Sequence, residues 1–147
     1  MAETLRVVRL FFVLLVVVAT GRWLMGTFGV PYAQGHHVFS IVILTAYASL
    51  FYGAFSRRWL DYRLVQAALL GVVMGLAAQA VIFALTVVSY ALGLDTYFNY
   101  PTALNAPEAL PLGRALVVRV SGLVGNSIGA GVVAALGWAL GGLLPKR

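Results

Sequence analysis

Apolar residues fill four long stretches of the chain, at residues 7–28, 38–55, 64–92 and 115–144. A helix needs about 20 apolar residues to cross the hydrocarbon core of a bilayer. The third and fourth stretches exceed that length, so we expect them to tilt, to kink or to project from the bilayer at one end. The pattern predicts an all-α protein, a four-helix transmembrane bundle forming one membrane domain over residues 1–147.

Three polar segments separate these stretches. Residues 29–37 (GVPYAQGHH) form a short link, residues 56–63 (SRRWLDYR) form a basic link, and residues 93–114 form a longer loop. In this loop Asn105, Pro107 and Glu108 match the start of a helix, with Asn105 as the N-cap. We therefore predict a short helix after Asn105, with a proline-stiffened connector, or a lid over a site, as alternatives.

Lysine and arginine are distributed unequally among the polar segments, which predicts the orientation. One side of the predicted bundle has seven of them, whereas the other side has only Arg114 at a span boundary. The seven are Arg6, Arg9, Arg57, Arg58, Arg63, Lys146 and Arg147. Because positive residues accumulate in the cytoplasm, we expect both termini to be cytoplasmic, in a bacterial-type inner membrane or a plasma membrane, with the 93–114 loop outside.

The first span allows a second interpretation. Its apolar segment LFFVLLVVV is followed by small residues, as in a signal peptide that would be cleaved after about residue 21. The apolar sequence resumes in WLMGTF and completes a membrane-length helix. We therefore expect an uncleaved span.

Composition supports the membrane assignment. The chain is 62% hydrophobic and 10% charged, with a mean hydropathy of +0.96, which leaves too little polar surface for a soluble domain. It has no cysteine, so disulfides, thiolate metal sites and cysteine nucleophiles are excluded. Despite the net charge of +6, we expect the lipid bilayer as the partner, and no nucleic acid and no cofactor.

Polar side chains within the spans carry the functional information, because an unsatisfied polar group is costly in hydrocarbon. Gln79 in the third span and Asn126 in the fourth lie near the bilayer midplane. We predict a hydrogen bond between these two amides, either as a structural contact or as a polar point on a permeation path. The second span adds a stripe of hydroxyls on one helix face: Thr45, Ser49, Tyr52 and Ser56. These hydroxyls either bond their own backbone carbonyls or join the two amides in a polar seam.

Glycines at four-residue spacing predict close helix packing. The pairs lie in the third and fourth spans: Gly71 with Gly75, Gly125 with Gly129, and Gly137 with Gly141. The spacing does not distinguish contacts within one chain from contacts between chains. We therefore expect self-association or a membrane-protein partner.

Arg22 and Arg119 are the charged residues that the pattern places well inside the spans, both toward the outer end, whereas Arg9 lies at the inner boundary of the first span. A long arginine side chain at that depth can snorkel to the lipid headgroups. Alternatively, both face inward and, together with Arg114, form a basic outer vestibule balanced by Asp95 or Glu108. Arg119 and Asn126 are seven residues apart and share a helix face, which would lead from the vestibule to the midplane amide.

Catalytic and metal sites are not indicated. His36 and His37 at the outer mouth are adjacent, and on a helix they would point in different directions without a third histidine. Asp95 and Glu108 are the only outer carboxylates, which is too few for a di-metal site. We therefore expect no enzyme, and no motif in the chain points to a particular family.

Two functional hypotheses follow. In the first, the bundle is a channel or transporter for a small solute, anionic if Arg22 and Arg119 select its charge, with Gln79, Asn126 and the hydroxyls lining its route. In the second, the protein is an accessory or assembly subunit that binds a larger membrane complex through its glycine-rich faces and its outer loop.

Overall fold

The computed structural model describes residues 6–145, and within them every regular element is helical. This confirms the all-helical class. A 3₁₀ helix at Pro101–Leu104 lies in the loop before the last α-helix. The α-helices are α1 (Arg9–Thr27), α2 (Tyr32–Gly35), α3 (Ile41–Trp59), α4 (Leu64–Ala91) and α5 (Leu112–Gly141). Lys146 and Arg147 lie outside the described residues.

Three of these helices, α1, α4 and α5, are long and apolar enough to cross a membrane. Helix α3 has the same length as α1, but its hydroxyl residues and the Arg57–Arg58 pair in its last turn make it less apolar. The membrane assignment therefore has support from three helices. The fourth span stays a prediction.

Helix α5 packs along α3 and α4, and α1 joins the bundle through fewer contacts. Phe11 and Leu15, one turn apart on α1, are buried against a cluster that includes Leu70, Met74 and Ile82 of α4. Close packing of this kind stabilises helices in lipid through dispersion, since lipid supplies little hydrophobic driving force. The bundle thus has one core, with α4 at its centre.

Two helix starts differ from the predicted spans. Helix α3 begins at Ile41 rather than at residue 38, because the Ser40 hydroxyl caps it by accepting the Ile43 N–H at 3.3 Å. Helix α5 begins at Leu112 rather than at 115, directly after Pro111 in an extended conformation. The third span, predicted at 64–92, matches α4 closely.

The predicted helix after Asn105 is wrong. The 3₁₀ helix at Pro101–Leu104 ends there instead, and Asn105 adopts the left-handed conformation with φ 52°. Asparagine tolerates this conformation and often terminates helical turns. The turn leaves Leu104 buried at 1% exposure, so the loop is anchored to the bundle.

The two ends of the bundle differ in structure. We call the end formed by residues 28–40 and 92–111 the loop end, and the opposite end the tail end.

Glycines bring the helix backbones together in the tail-end half. A Cβ on Gly137 would meet the Leu50 carbonyl, and one on Gly53 would meet the Ala134 carbonyl, so α3 and α5 are in backbone contact. The other glycines that lie close to a neighbouring helix in this part of the bundle are Gly71, Gly75, Gly131 and Gly141. Gly125 and Gly129 differ, because open space surrounds their Cβ positions. Those two therefore pack no helix within the described chain.

Arg57 closes the tail end. Its guanidinium donates to the carbonyls of Trp138 and Ala139 at 3.2 and 2.9 Å and lies 4.4 Å from the Trp138 ring centroid. Cations near the carbonyl end of a helix satisfy groups that have no partner within the helix. This arginine thus joins the ends of α3 and α5.

Candidate functional site

A cavity of about 360 Å³ lies at the loop end between α1, α3, α5 and the loop. Its volume falls in the range of about 300–1,000 Å³ that is typical of small-molecule sites. The residues that give it its chemistry are Arg22, Tyr32, His36, His37, Phe98 and Arg119. We call it the arginine cavity. The structure brings together here both arginines that the sequence placed inside the spans.

Arg119 is held by acceptors on α4 and the loop. Its Nε donates to the Thr86 hydroxyl at 3.1 Å, and its two terminal nitrogens donate to the carbonyls of Ala103 and Phe98. Because a guanidinium has five N–H groups, two of them have no partner among the described residues. Protein atoms therefore fix this side chain inside the bundle, and snorkelling to headgroups does not describe it.

Arg22 reaches the same cavity from α1. It donates to the His36 carbonyl at 3.0 Å and lies 5.5–5.9 Å from the ring centroids of Tyr32, Tyr97 and Phe98. Aromatic faces attract cations at such distances, so the rings hold the charge without neutralising it. Most of the N–H groups of Arg22 stay unbonded within residues 6–145.

The expected carboxylate balance of these arginines is wrong. Asp95, Glu108 and Arg114 are exposed at the loop end, and none of them lines the arginine cavity. Within the described part of the chain, the partners of Arg22 and Arg119 are carbonyls, rings and a hydroxyl. Two like charges thus share one partly enclosed space, where their repulsion is stronger than in bulk water.

The two histidines border the cavity together. His36 Nδ1 lies 2.9 Å from the Tyr32 carbonyl oxygen, which can only accept, so this nitrogen carries the proton and donates it. The His36 and His37 ring centroids are 3.7 Å apart, so the expectation that the rings diverge is wrong. They lie in a turn after α2 rather than within a helix, which allows adjacent rings to meet.

Tyr97 fixes the wall of the cavity. Its hydroxyl donates to the carbonyls of Val30 and Pro31 at 2.8 and 3.1 Å, which ties the loop to the link between α1 and α2. Burial raises the pKa of Tyr97, although the nearby charge of Arg22 acts in the opposite direction. The phenol therefore stays neutral at physiological pH and keeps its role as a hydrogen-bond donor.

A larger cavity, of about 660 Å³, lies beyond Tyr32 and Tyr97 at the same end. Its lining includes four tyrosines and the exposed Asp95, but no cationic side chain. The rings of Tyr32 and Tyr100 stack at 4.7 Å and so contact each other rather than a ligand. Size alone favours this cavity, whereas concentrated charge favours the arginine cavity as the site.

The predicted amides meet in a third space, of about 200 Å³, which we call the amide crevice. Its walls are Val42, Thr45 and Ala46 of α3 and a face of α5, and its floor is Gly75 and Gln79 of α4. The α5 residues in it are Gly125, Asn126, Gly129, Ala130 and Val133. Val42 borders both this crevice and the arginine cavity, so the two spaces are neighbours.

No direct hydrogen bond joins Gln79 to Asn126 among the described residues, so the predicted bond is wrong. Asn126 Nδ2 and Gln79 Oε1 each lie 3.6 Å from the position that a Cβ on Gly122 would occupy. Gln79 is only 5% exposed, while Asn126 is exposed on the surface of α5. The amides thus face a common space.

The hydroxyl stripe of α3 is buried as one face, but it does not form a continuous seam. Thr45 and Ser56 bond their own backbone, to the carbonyls of Ile41 and Gly53 at 2.7 and 2.8 Å. Of the stripe, Thr45 lines the amide crevice. Ser49 and Tyr52 lie below the crevice, in the packed tail-end half, and the Ser49 hydroxyl has no partner within residues 6–145.

Sequence reasoning missed Thr86, Tyr97 and Phe98. Thr86 lies seven residues after Gln79 on the same face of α4, so its spacing carried a usable signal. The Phe98 and Ala103 carbonyls gave no signal in the sequence, because every residue has a carbonyl and only the fold determines where it points.

Comparisons with protein-family models, with curated proteins and with solved structures found no match to this chain.

Proposed function

We propose that this membrane protein binds a small anion in the arginine cavity and that this cavity is the entry site of a transport function. The observation that supports the proposal is the pairing of Arg22 and Arg119 in one cavity whose described residues offer no carboxylate. Nearby opposite charge is the usual compensation for such a pair. A solute anion supplies it.

The free donors suit an oxyanion. Arg119 keeps two N–H groups and Arg22 keeps more, and guanidinium groups bind carboxylate or phosphate oxygens through paired hydrogen bonds. The carbonyls and rings hold both side chains in place before the anion arrives. Such preorganisation lowers the entropic cost of binding.

The tail-end half argues against a permanently open channel. Backbone contact of α3 with α5 at Gly53 and Gly137 leaves no room for a solute there. A transported anion therefore requires α3 and α5 to separate, so the proposed mechanism opens one end at a time.

The proposal includes the predicted topology. All four long helices span the bilayer, both termini are cytoplasmic, and the loop end faces outward. Helix α3 then crosses with its hydroxyl face buried in the bundle and its arginines at the cytoplasmic surface. The cavity accordingly receives its anion from outside.

Flux from proteoliposomes tests the transport step. Radiolabelled acetate, phosphate and rubidium are the probes, and we expect uptake of an anion but not of rubidium. Arg119→Gln and Arg22→Gln each remove a charged hydrogen-bond donor and should lower anion uptake about tenfold or more. Arg114→Gln is the matched control, because Arg114 is exposed at the same end outside the cavity. Equal uptake in all four proteins, or none in any, contradicts transport.

The accessory-subunit hypothesis differs in what it expects on purification. It requires a different membrane protein in stoichiometric amount after extraction in mild detergent. The inward placement of Arg119 favours the transport hypothesis, since an accessory role gives no reason for two uncompensated arginines in one cavity.

A further inference from the structure

We propose that two copies of this chain associate through α5, with Gly125 and Gly129 at the contact and the Asn126 amide of each copy satisfying polar groups at the amide crevice of the other. This inference is independent of the anion site. It rests on the unfilled surface of α5 and on two amides that have no partner.

The first observation is the open glycine face. Elsewhere the interhelical glycines of the bundle lie against a neighbouring backbone, as Gly53, Gly71 and Gly137 do. Gly125 and Gly129, one turn apart, face space in which a Cβ would meet nothing within 4 Å. Small residues at this spacing allow a second helix to approach closely in a membrane.

The second observation is the unpartnered Gln79 amide. It is 5% exposed, its side chain forms no hydrogen bond with the described residues, and it lines the same crevice as Gly125 and Gly129. An amide that opens to lipid without a hydrogen-bond partner is costly. Gln79 therefore requires a hydrogen-bonding partner from outside this chain.

The third observation identifies the occupant as a second copy. Asn126 is exposed on α5 beside the glycines, at the depth of Gln79. An amide has both donors and acceptors, so an asparagine near a twofold axis can bond its own copy. Each chain thus has the amide crevice, the open glycine face of α5 and the Asn126 amide that the other copy requires.

Crosslinking in native membranes tests the contact without altering the glycines or Asn126. The chain has no cysteine, so a single Ser121→Cys, one turn from Gly125 on the exposed side of α5, reports only that face. A short bis-maleimide should join two copies. Val17→Cys, 55% exposed on α1, is the matched control and should stay monomeric.

Two outcomes overturn the proposal. One is crosslinking of Ser121→Cys at no more than the level of Val17→Cys. The other is an adduct that contains a different protein, which would place a heterologous partner on α5. The first outcome is also the one expected if lipid or water, rather than a second copy, fills the crevice.

Single-molecule photobleaching in liposomes measures how much these residues stabilise the dimer. Gly129→Leu and Asn126→Leu should each weaken dimerisation about threefold to tenfold, the range expected for one interhelical hydrogen bond or one lost close contact. Gly113→Leu is the control, because Gly113 also faces open space but lies at the loop end of α5. Identical dimer fractions in all variants contradict the proposed interface.

Discussion

At the scale of single residues, the site depends on a few polar contacts at the boundary of an apolar bundle. Thr86 links two of them, since its hydroxyl donates to the Ile82 carbonyl at 2.8 Å and accepts from Arg119 Nε at 3.1 Å. The hydroxyl is fully buried. Its removal would leave a charged donor without its acceptor.

Thr86→Val tests this linkage with little change in shape. A buried donor that loses its partner costs about 1–3 kcal/mol, so we expect a lower thermal unfolding temperature in detergent. Anion binding should weaken as well, because Arg119 loses one of its three fixed contacts. Thr20→Val is the control, since Thr20 is exposed on α1. Equal unfolding temperatures for the two variants would show that the Thr86 contact does not position Arg119.

The depth of the polar residues in the bundle could be predicted from the sequence, but their hydrogen-bond partners could not. The depth of Arg22, Arg119, Gln79 and Asn126 followed from helical rise and span limits, and the structure groups them at two neighbouring spaces. Their hydrogen-bond partners did not follow, because most are backbone carbonyls that only tertiary structure aims. The same limit explains the wrong expectation for Asp95 and Glu108, which lie at the same end of the bundle as the arginines but do not line their cavity.

At the scale of helices, close approach distinguishes the two halves of the bundle. Toward the tail end, Gly53 and Gly137 bring α3 and α5 into backbone contact, whereas toward the loop end the same helices border the amide crevice. Sequence spacing identified Gly137 with Gly141 but not Gly53, which has no glycine four residues away. Spacing alone therefore found repeated glycines and missed an isolated one.

Gly137→Ala tests the backbone contact. The added Cβ would meet the Leu50 carbonyl, so α3 and α5 must separate locally. Overpacking of this kind costs about 1–3 kcal/mol, which should lower the thermal unfolding temperature in detergent. Gly113→Ala should be neutral or slightly stabilising, because its Cβ meets nothing and alanine favours helix. If both variants unfold alike, the tail-end half is not closed by this contact.

At the scale of the whole molecule, the asymmetry between the two ends supports one orientation. The tail end has Arg57 and Arg58 on the last turn of α3, and the loop end holds the arginine cavity beneath its loop. The proposed orientation, with the tail end in the cytoplasm, follows the positive-inside tendency. This orientation could be predicted from the sequence, because it depends on the distribution of charge along the chain rather than on contacts.

Labelling of single cysteines in intact cells tests the orientation. Glu108→Cys lies in an exposed part of the loop, and Leu143→Cys is 82% exposed at the tail end. We expect a membrane-impermeant maleimide to label Glu108→Cys in intact cells and Leu143→Cys only after permeabilisation. The reverse pattern would invert the topology. Labelling of both positions in intact cells would mean that α5, which lies between them, does not cross the bilayer.

The proposed function depends on an anion site that Arg22 and Arg119 form together. Equilibrium binding of radiolabelled acetate and phosphate to the purified protein in detergent measures this most directly. We expect saturable binding of at least one anion, weakened about tenfold or more in Arg22→Gln and in Arg119→Gln and retained in Arg114→Gln. No saturable binding, or equal binding by all three variants, would contradict it.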